Sequence, residues 1–456
     1  MVRSIDYEDA IALPRFGLGA DAKGLESLVH LDARELLHEE VRRGPLAIVG
    51  QPSTAELLHE LAAYNRARPP RGTRADDERY KAIGPNPALV HFNAEVAARY
   101  SVTCVEPAIG FNERMVMFWT NHFAVSVAKS KTMKLLSGAF EREAVRPNAF
   151  GRFTDLVMAV ETHPAMLSYL DNVKSIGPDS AANVKHKHGL NENLAREVME
   201  LHILGVRSGY SQADVTALAK ALTGWTIYMP EDLNDLDYGN FSFSAEEHEP
   251  GGQSILGRAY AADGFFQASD ILIDLCGRPE TAQHIAFKLA RHFVSDTPPQ
   301  NLVDRLANVF MSTDGDLAEV SHALVDADEA WQPTASKFRS PQEYLVAIIR
   351  AMGSSLSALR ILDLLNIMGQ PQWNPPGPNG YPDEATYWAT PQGLSSRLDV
   401  AVRLAASAPP DTVPHMFAER ILGWRLSDIT RTAMAHAETM RQSIALLFLS
   451  PEFLRR

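Results

Sequence analysis

The stretch from Asn191 to Gly205, NENLAREVMELHILG, predicts a short α-helix with one apolar and one polar face. Its apolar side chains recur at i, i+4 and i+7, at Leu194, Val198 and Leu201. Its polar side chains recur at i, i+3, i+4 and i+7, at Asn193, Arg196, Glu197 and Glu200. Because this is the period of a helix surface, an amide, a guanidinium and two carboxylates should share one face of a rigid element.

Both ends of this central helix carry sequence signals. Asn191 is a suitable N-cap, and Glu192 places a carboxylate in the first turn, where the helix dipole favours negative charge. Gly205 suits the position after the last turn, which commonly adopts a left-handed conformation. We therefore expect one helix to span the whole stretch.

Length and composition indicate a globular protein. The chain has 456 residues, of which 45% are hydrophobic and 22% charged, and this balance argues against global disorder. The length allows two or three domains, because single cores tend to stop growing beyond roughly 250–300 residues, but one large helical body is equally allowed. We find no tandem repeat and no alternation of strand and crossover helix, so we predict a single helical domain over residues 1–456.

Charge and targeting signals limit the classes of partner. The chain has 43 Lys and Arg residues against 56 Asp and Glu residues, and its net charge of −13 disfavours nucleic acid or an anionic membrane as a general partner. The first residues, MVRSIDYEDAIALPRFG, contain no apolar export signal, and no stretch approaches about 18 uninterrupted apolar residues. We therefore expect a soluble, cytoplasmic protein without membrane insertion.

The rest of the chain predicts mainly helices. They include Phe111–Phe123, which carries His122, and Ser211–Trp225, which begins with a capping box of Ser211 and Asp214. Residues 226–265 are aromatic- and Gly-rich with short alternating runs, which suggests a small β insertion or an ordered loop. Residues 371–388 form a proline- and aromatic-rich loop, which we expect to close over the central helix. The predicted fold class is mainly α, a multi-helix globular body with a small irregular or β insertion.

Eight stretches, taken together and in this order, resemble a known family. They are RFGLGA (15–20), FWTNHF (118–123), AMLSYLDN (165–172), NENLAREVMELHILGV (191–206), DVTALAKALTGW (214–225), HEPGGQSILG (248–257), KLARHFVSD (288–296) and KFRSPQEY (337–344). The chain resembles the bacterial domain-of-unknown-function 1800 (DUF1800) family over nearly its whole length. This family has no agreed activity. The resemblance implies relatives that are commonly exported and often encoded beside a second family, which is similar to sulfatases and alkaline phosphatases.

The chain departs from the family pattern at three places. Where the family usually has Trp-His-x-His-Phe, this chain has WTNHF at 119–123, so His122 alone remains of a histidine pair. Glu249 and Gln253 replace the usual Asp and Lys, which removes a cation from that loop. In the late loop, PPGPNGYP at 375–382, Tyr381 replaces a usual Trp.

The polar face supports three interpretations, and the first is a metal site. Glu197, Glu200 and a His122 brought in from another helix could form a carboxylate–histidine centre of the kind built inside helical bundles. However, the stretch lacks Glu-x-x-His, because His202 follows Glu200 by two residues and would lie about 200° around an α-helix. Arg196 is also better placed to neutralise both carboxylates than to tolerate a cation. We assign no metal ligand, and the cofactor is unknown.

The second interpretation is metal-free acid–base chemistry. Glu197 or Glu200, tuned by Arg196, would act as the base or acid, with His122 or His248 as the partner that carries the proton. Six further residues are expected to bind or orient a small polar or saccharide-like substrate: Asp171, Asn191, Asn193, His248, Trp225 and Tyr381. This interpretation predicts a hydrolase or a lyase, and the sequence leaves open whether the protein is an enzyme.

The third interpretation is a buried ion-pair network. Glu192 and Arg196, and likewise Arg196 and Glu200, are spaced i, i+4, at which opposite charges meet on a helix. Such a network would fix neighbouring helices in place without catalysis, so the protein would be a non-enzymatic scaffold or accessory protein. The gene neighbourhood of the resembled family suggests a phosphatase- or sulfatase-like partner. The oligomeric state is unknown.

Overall fold

In a computed structural model of the protein, the structure describes residues 7–28, 32–69, 78–105, 109–186, 189–206, 208–334 and 337–456. These residues are mainly helical, which confirms the predicted fold class. The α-helices before the central stretch are α1 (Tyr7–Arg15), α2 (Ala33–Arg43), α3 (Thr54–Ala67), α4 (Glu78–Ile83), α5 (Pro87–Val105), α6 (Phe111–His122), α7 (Lys131–Phe140), α8 (Phe153–Glu161), α9 (Pro164–Tyr169) and α10 (Ala181–His186).

The remaining α-helices surround and follow a small β insertion. The first two are α11 (Asn193–Glu197) and α12 (Gln212–Ala221). The others are α13 (Phe265–Cys276), α14 (Pro279–Phe293), α15 (Gln300–Ser312), α16 (Leu317–Val325), α17 (Pro341–Met352), α18 (Ala358–Ile367), α19 (Ala385–Trp388), α20 (Pro391–Ala405), α21 (Pro414–Leu422), α22 (Asp428–Ala435), α23 (Met440–Phe448) and α24 (Pro451–Leu454). Among the described helices, none is both long and apolar enough to cross a membrane.

The predicted β insertion is present as two short antiparallel ribbons. Strand β1 (Trp225–Ile227) pairs with β2 (Phe241–Phe243), with Trp225 opposite Phe243. Strand β3 (Gln253–Ile255) pairs with β4 (Arg258–Tyr260). The indole of Trp225 is fully buried, stacked on Phe265 with ring centroids 5.4 Å apart. The insertion is therefore anchored to the helical body by its aromatic residues.

Local capping signals account for the helices that were predicted best. Helix α12 begins after Ser211, whose hydroxyl accepts from the Asp214 N–H while the Asp214 carboxylate accepts from the Ser211 N–H, so the predicted capping box is confirmed. The helix ends at Ala221, and Trp225 already belongs to β1. Helix α6 occupies the predicted segment and places His122 in its last turn.

The sequence predicted one continuous α-helix over the central stretch, and this prediction is wrong. After α11, residues Val198–His202 form a π-helix, in which the Ile203 N–H donates to the Val198 carbonyl at 2.9 Å. A π turn bonds residues five apart instead of four, so it brings His202 to the side of Glu197. The π turn has a long-range cause, because the His202 imidazole forms a hydrogen bond with the carboxylate of Glu161, which lies 41 residues earlier in the sequence.

The ends of the central stretch follow the predicted signals closely. The N-cap residue is Glu192, without a side-chain cap bond, so the prediction of Asn191 was one residue early. Asn191 instead accepts the Asn193 N–H through Oδ1 at 2.9 Å. Gly205 has φ of 86°, and a Cβ there would lie 2.6 Å from Nδ1 of His284, so both conformation and space require glycine.

The proline-rich loop closes over α6 and not over the central helix, which corrects the sequence expectation. Asn121 binds the backbone of Tyr381 twice: the Tyr381 N–H donates to Oδ1 at 2.7 Å, and Nδ2 donates to the Tyr381 carbonyl at 2.8 Å. The Val127 N–H donates to the carbonyl of Trp373 at 2.9 Å. These partners are about 250 residues apart in sequence, so local patterns could not reveal them.

One hydrophobic core connects the helices. The buried apolar side chains form a contiguous cluster from Ala10 to Leu454. Within it α5 packs against α7, α14 against α15, and α20 against α23. Helices from the first and last parts of the chain therefore share the same interior, and this interior carries the polar groups of the candidate site.

Candidate functional site

The ion pairs predicted on the central helix are present, but they are not buried. Arg196 lies 3.2 Å from Glu192 and 3.6 Å from Glu200, at the predicted i, i+4 spacing. The three side chains are 38%, 30% and 33% exposed. The expectation of a buried network was therefore wrong at this place, because the polar face of α11 is open to solvent and ion pairs of this kind contribute little stability.

Glu197 differs from the other carboxylates of this face. Its side chain is half-buried, and no residue within the described part of the chain donates a hydrogen bond or forms an ion pair with its carboxylate. Burial raises the pKa of Glu197 above its ordinary value; His202 opposes this rise and Glu200 adds to it. Burial and then the nearby Glu197 also raise the pKa of Tyr169. Glu197 is thus an unpaired base candidate.

A fully buried carboxylate–imidazole pair lies behind Glu197. Nδ1 of His202 is 2.7 Å from Oε1 of Glu161, and both side chains are 0% exposed. When Glu161 is ionised, it accepts a hydrogen bond from Nδ1 of His202. Within the described ranges, Nε2 of His202 and Oε2 of Glu161 have no hydrogen-bond partner.

The structure brings His122 to the central helix, next to a second histidine and a lysine. Nε2 of His122 lies 2.9 Å from the His202 carbonyl, and Nε2 of His284 lies 3.1 Å from the Leu201 carbonyl. Burial, followed by Lys288, holds the pKa of His122 well below its ordinary value and lowers that of His284 to about 4. Burial lowers the pKa of Lys288 to about 8. Both imidazoles are therefore neutral near pH 7.

The other predicted substrate residues separate into two groups. Asp171 and Asn191 lie together at the start of the central stretch, where Nδ2 of Asn191 donates to the Asp171 carbonyl at 3.1 Å. The Asp171 carboxylate is paired with Lys129 and Lys174, which keep its pKa below the ordinary value despite partial burial. Asn193 is exposed on the same helix. Asp171 and Asn191 therefore lie at the start of the central stretch, whereas Glu197 is the last residue of α11.

The second group lies in other parts of the fold. Trp225 is buried in the β insertion, so it stacks on protein rings and not on a ligand. Nδ1 of His248 lies 2.9 Å from the Thr223 carbonyl, and its ring packs against Phe243. Tyr381 lies in the proline-rich loop and donates its hydroxyl to that loop's own carbonyls.

Arrangements suited to a metal ion are missing from the part of the chain that the structure describes. No group of three or more His, Cys, Asp or Glu side chains is placed there to hold one ion. His122 and His202 come within 6.5 Å between ring centroids, yet they contact each other through a backbone carbonyl. The carboxylate–histidine interpretation therefore has no three-ligand set to build on.

Buried ion-pair networks do exist, at places that the sequence did not indicate. Glu343 lies 2.9 Å from Arg114 and 3.1 Å from Arg456, and these three side chains are 8%, 1% and 1% exposed. A second pair joins Arg99 to Glu141 at 2.7 Å, with exposures of 2% and 1%. The structural role expected of the central helix is therefore carried by α5, α6 and α17.

Sequence reasoning missed Glu161 and His202. Glu161 ends the apolar run of α8, where a single carboxylate after Val157 and Val160 is a recognisable sign of a buried acid. His202 was set aside because an α-helix would turn it away from the polar stripe. Only the π turn brings it to the side of Glu197.

Comparisons with known proteins identify the family and nothing further. A family model described as "Protein of unknown function (DUF1800)" matches residues 11–455. No curated protein and no solved structure matches the chain. The match covers the central stretch, the buried Glu161–His202 pair and the proline-rich loop alike. The chain therefore belongs to the DUF1800 family.

Proposed function

We propose that this protein is an enzyme of the hydrolytic or eliminating type that uses Glu197 as its general base. The observation that carries the proposal is a half-buried carboxylate without a hydrogen-bond partner in the described ranges, beside the fully buried His202–Glu161 pair. A base needs a free lone pair and a raised pKa, because a carboxylate held by cations accepts protons poorly. Glu343, paired with two guanidinium groups, illustrates the opposite case.

Each neighbouring group has a defined part in this proposal. In hydrolysis Glu197 takes a proton from a bound water, whose oxygen bonds to the substrate centre as the bond to the leaving group breaks. In elimination it takes a proton from a substrate carbon, a double bond forms and the bond to the leaving group breaks. In both cases the protonated Glu197 then returns its proton to the leaving group or to solvent. His202, held by its contact with Glu161, fixes the π turn that directly follows Glu197, so it is a positioning residue. Arg196 supplies a cation next to the base, where negative charge develops in the transition state. No metal is required for these steps.

The substrate class follows from the surroundings of the base. Asn193 and Arg196 offer hydrogen-bond donors on the exposed face, and Asn191 lies at the helix start. Donors of this kind suit the oxygen atoms of a small polar or saccharide-like molecule. The face is half-exposed, so the substrate would lie on the helix and not inside the core.

The test compares the wild-type protein with Glu197→Gln on panels of esters, glycosides, phosphate esters and uronate-type lyase substrates. We expect turnover of at least one panel member and a fall of about 10²–10⁴-fold in kcat for the variant. Glu39→Gln, on the exposed surface of α2, is the matched control and should keep full activity. The melting temperature of Glu197→Gln should stay the same or rise, because the variant removes an unpaired, partly desolvated charge.

Two outcomes would contradict this proposal. Equal turnover by wild type and Glu197→Gln would exclude Glu197 as the base. A clear fall in the melting temperature of the variant, with activity lost only through unfolding, would indicate a structural carboxylate.

The second candidate function is a non-enzymatic scaffold or accessory protein for a phosphatase- or sulfatase-like partner. It is favoured by a stripe of exposed apolar side chains at i, i+4 and i+8 on α20: Leu394, Leu398 and Val402, which are 40%, 47% and 53% exposed. Exposed apolar stripes of this kind mark interaction surfaces. A scaffold would bind its partner equally well with Glu197→Gln, whereas an enzyme would lose turnover.

The bacterial origin, the cytoplasmic location and the absence of a nucleic-acid partner stay predictions from the sequence.

A further inference from the structure

A cavity separate from the Glu197 site lies between the end of α6, the start of α17 and the proline-rich loop. The centres of water molecules can occupy about 70 Å³ of it. One water needs about 10–15 Å³ by this measure, so the cavity has room for a ligand of roughly five to seven heavy atoms. It is therefore large enough for a small molecule.

Apolar side chains form one wall of this cavity. Met117 and Val125 contribute aliphatic surface, and Trp373 and Pro371 contribute flat surface. The indole of Trp373 is fixed because its Nε1 donates to the Glu141 carboxylate at 3.0 Å. A carbon skeleton bound here would pack against a rigid apolar face.

Three glutamine amides form the polar wall. Oε1 of Gln370 accepts the Gln342 N–H at 2.8 Å, so its Nε2 is the end that remains, and no described residue accepts a hydrogen bond from it. Gln372 contacts Gln342 through one end of its amide at 3.2 Å, and the same end lies 3.1 Å from the Tyr100 hydroxyl. Gln370 is 9% and Gln372 is 5% exposed. Buried amides with free hydrogen-bonding capacity are costly unless a ligand or water satisfies them.

The charged groups around the cavity already have hydrogen-bond or ion-pair partners. Arg99 is paired with Glu141, Glu343 with Arg114, and the Asp383 carboxylate lies 2.9 Å from Nδ1 of His292. An anionic ligand would meet the carboxylates of Glu343 and Asp383, and a cationic ligand would meet Arg99. Neither charge would gain a free partner, so an uncharged ligand is favoured.

We propose that this cavity binds a small uncharged polyol. A hydroxyl group both donates and accepts, so it can accept from Nε2 of Gln370 and donate to the remaining lone pairs of Asp383. The carbon skeleton would lie against Met117 and Trp373. A ligand of about this size with several hydroxyl groups satisfies the free amide and fills the apolar wall at the same time.

The experiment measures glycerol binding by isothermal titration calorimetry and saturation-transfer NMR, with butyrate and n-butanol as the charged and the singly hydroxylated comparisons. In Gln370→Glu the oxygen that accepts the Gln342 N–H is kept, and the free donor becomes an acceptor. We expect glycerol to bind the wild type and to bind this variant at least tenfold more weakly. Ala124→Val, which narrows the cavity at a residue 3% exposed, should have a similar effect.

Matched controls separate binding from folding. Gln392→Glu makes the same chemical change on the exposed start of α20 and should bind glycerol like the wild type. Circular dichroism shows whether the two cavity variants are folded. Failure of the wild type to bind glycerol, preference for butyrate, or unchanged binding in both folded cavity variants would overturn the proposal. Glu197→Gln should keep glycerol binding, so the two proposals can fail independently.

Discussion

Glu343 forms ion pairs with Arg114 and Arg456, whereas Glu197 has no such partner among the described residues. Burial raises the pKa of both carboxylates, but their net pKa shifts are opposite. The guanidinium groups outweigh burial and lower the pKa of Glu343 to about 2, while burial raises the pKa of Glu197. The ion pairs hold Glu343 as a structural anion, whereas the carboxylate of Glu197 has no ion-pair partner among the described residues and stays open to a proton.

Glu343→Gln should destabilise the protein. The variant leaves two buried guanidinium groups without a compensating charge, which costs about 3–5 kcal/mol. In a chain of this length that corresponds to a fall of about 3–5 °C in the melting temperature. Differential scanning fluorimetry measures this fall, and Glu39→Gln serves as the surface control. An unchanged melting temperature would show that the network does not contribute to stability.

The same residue predicts a dependence on pH. The pKa of Glu343 is lower in the folded protein than in the unfolded chain, so its contribution to stability is complete above about pH 4.5 and is lost as the pH falls towards 2. Over this pH interval the free energy of unfolding of the wild type should therefore fall by about 3 kcal/mol more than that of Glu343→Gln. Parallel pH profiles for the two proteins would contradict the assignment.

At the level of helices, a histidine pair joins α2 to α16. Nδ1 of His38 and Nδ1 of His322 are 2.6 Å apart, so one ring donates and the other accepts, and the pair cannot hold a second proton there. Nε2 of His38 contacts Asp326 at 2.9 Å, and Glu319 and Arg42 also face the pair. Burial, followed by His38, lowers the pKa of His322.

This contact should weaken below pH 6.5. Because the unfolded chain takes up a proton at His322 more readily than the folded protein, stability is complete above the ordinary histidine pKa and declines as the pH falls below it. We expect the free energy of unfolding, measured with urea, to be lower at pH 5.5 than at pH 7.5. This fall should be smaller in His322→Gln than in the wild type by only about 0.5 kcal/mol, since the pair is partly exposed. An equal decline in both proteins would mean that other groups set the pH dependence.

The elements that the sequence predicted are those with local causes. The capping box of Ser211 and Asp214 and the left-handed Gly205 depend on neighbours within a few residues, and both are present. The π turn at Val198–His202 and the position of Tyr381 depend on Glu161 and Asn121, which lie far away in sequence. The periodicity of the sequence therefore predicted the position of the polar face, whereas the burial of its side chains and their bonding partners could be determined only from the folded structure.

At the level of the whole molecule, the two ends of the chain are held in one interior. Glu343 of α17 joins Arg114 of α6 to Arg456, and Nη1 of Arg15 donates to the Ala330 carbonyl at 2.9 Å. Single cores usually stop growing beyond roughly 250–300 residues, so a contiguous core over this length is unusual. If the core behaves as one cooperative unit, removing any part of it should affect the whole.

Calorimetry tests this single-domain prediction directly. We expect one transition whose calorimetric enthalpy, about 320 kcal/mol near 60 °C for 456 residues, equals the van 't Hoff enthalpy. Glu343→Gln should move the entire transition to lower temperature, because its partners belong to distant parts of the chain. Two resolved transitions, of which the variant shifts only one, would instead divide the chain into separately folding units. In that case one would first have to establish which unit contains the Glu197 site and which contains the cavity under the proline-rich loop, before any coupling between them is considered.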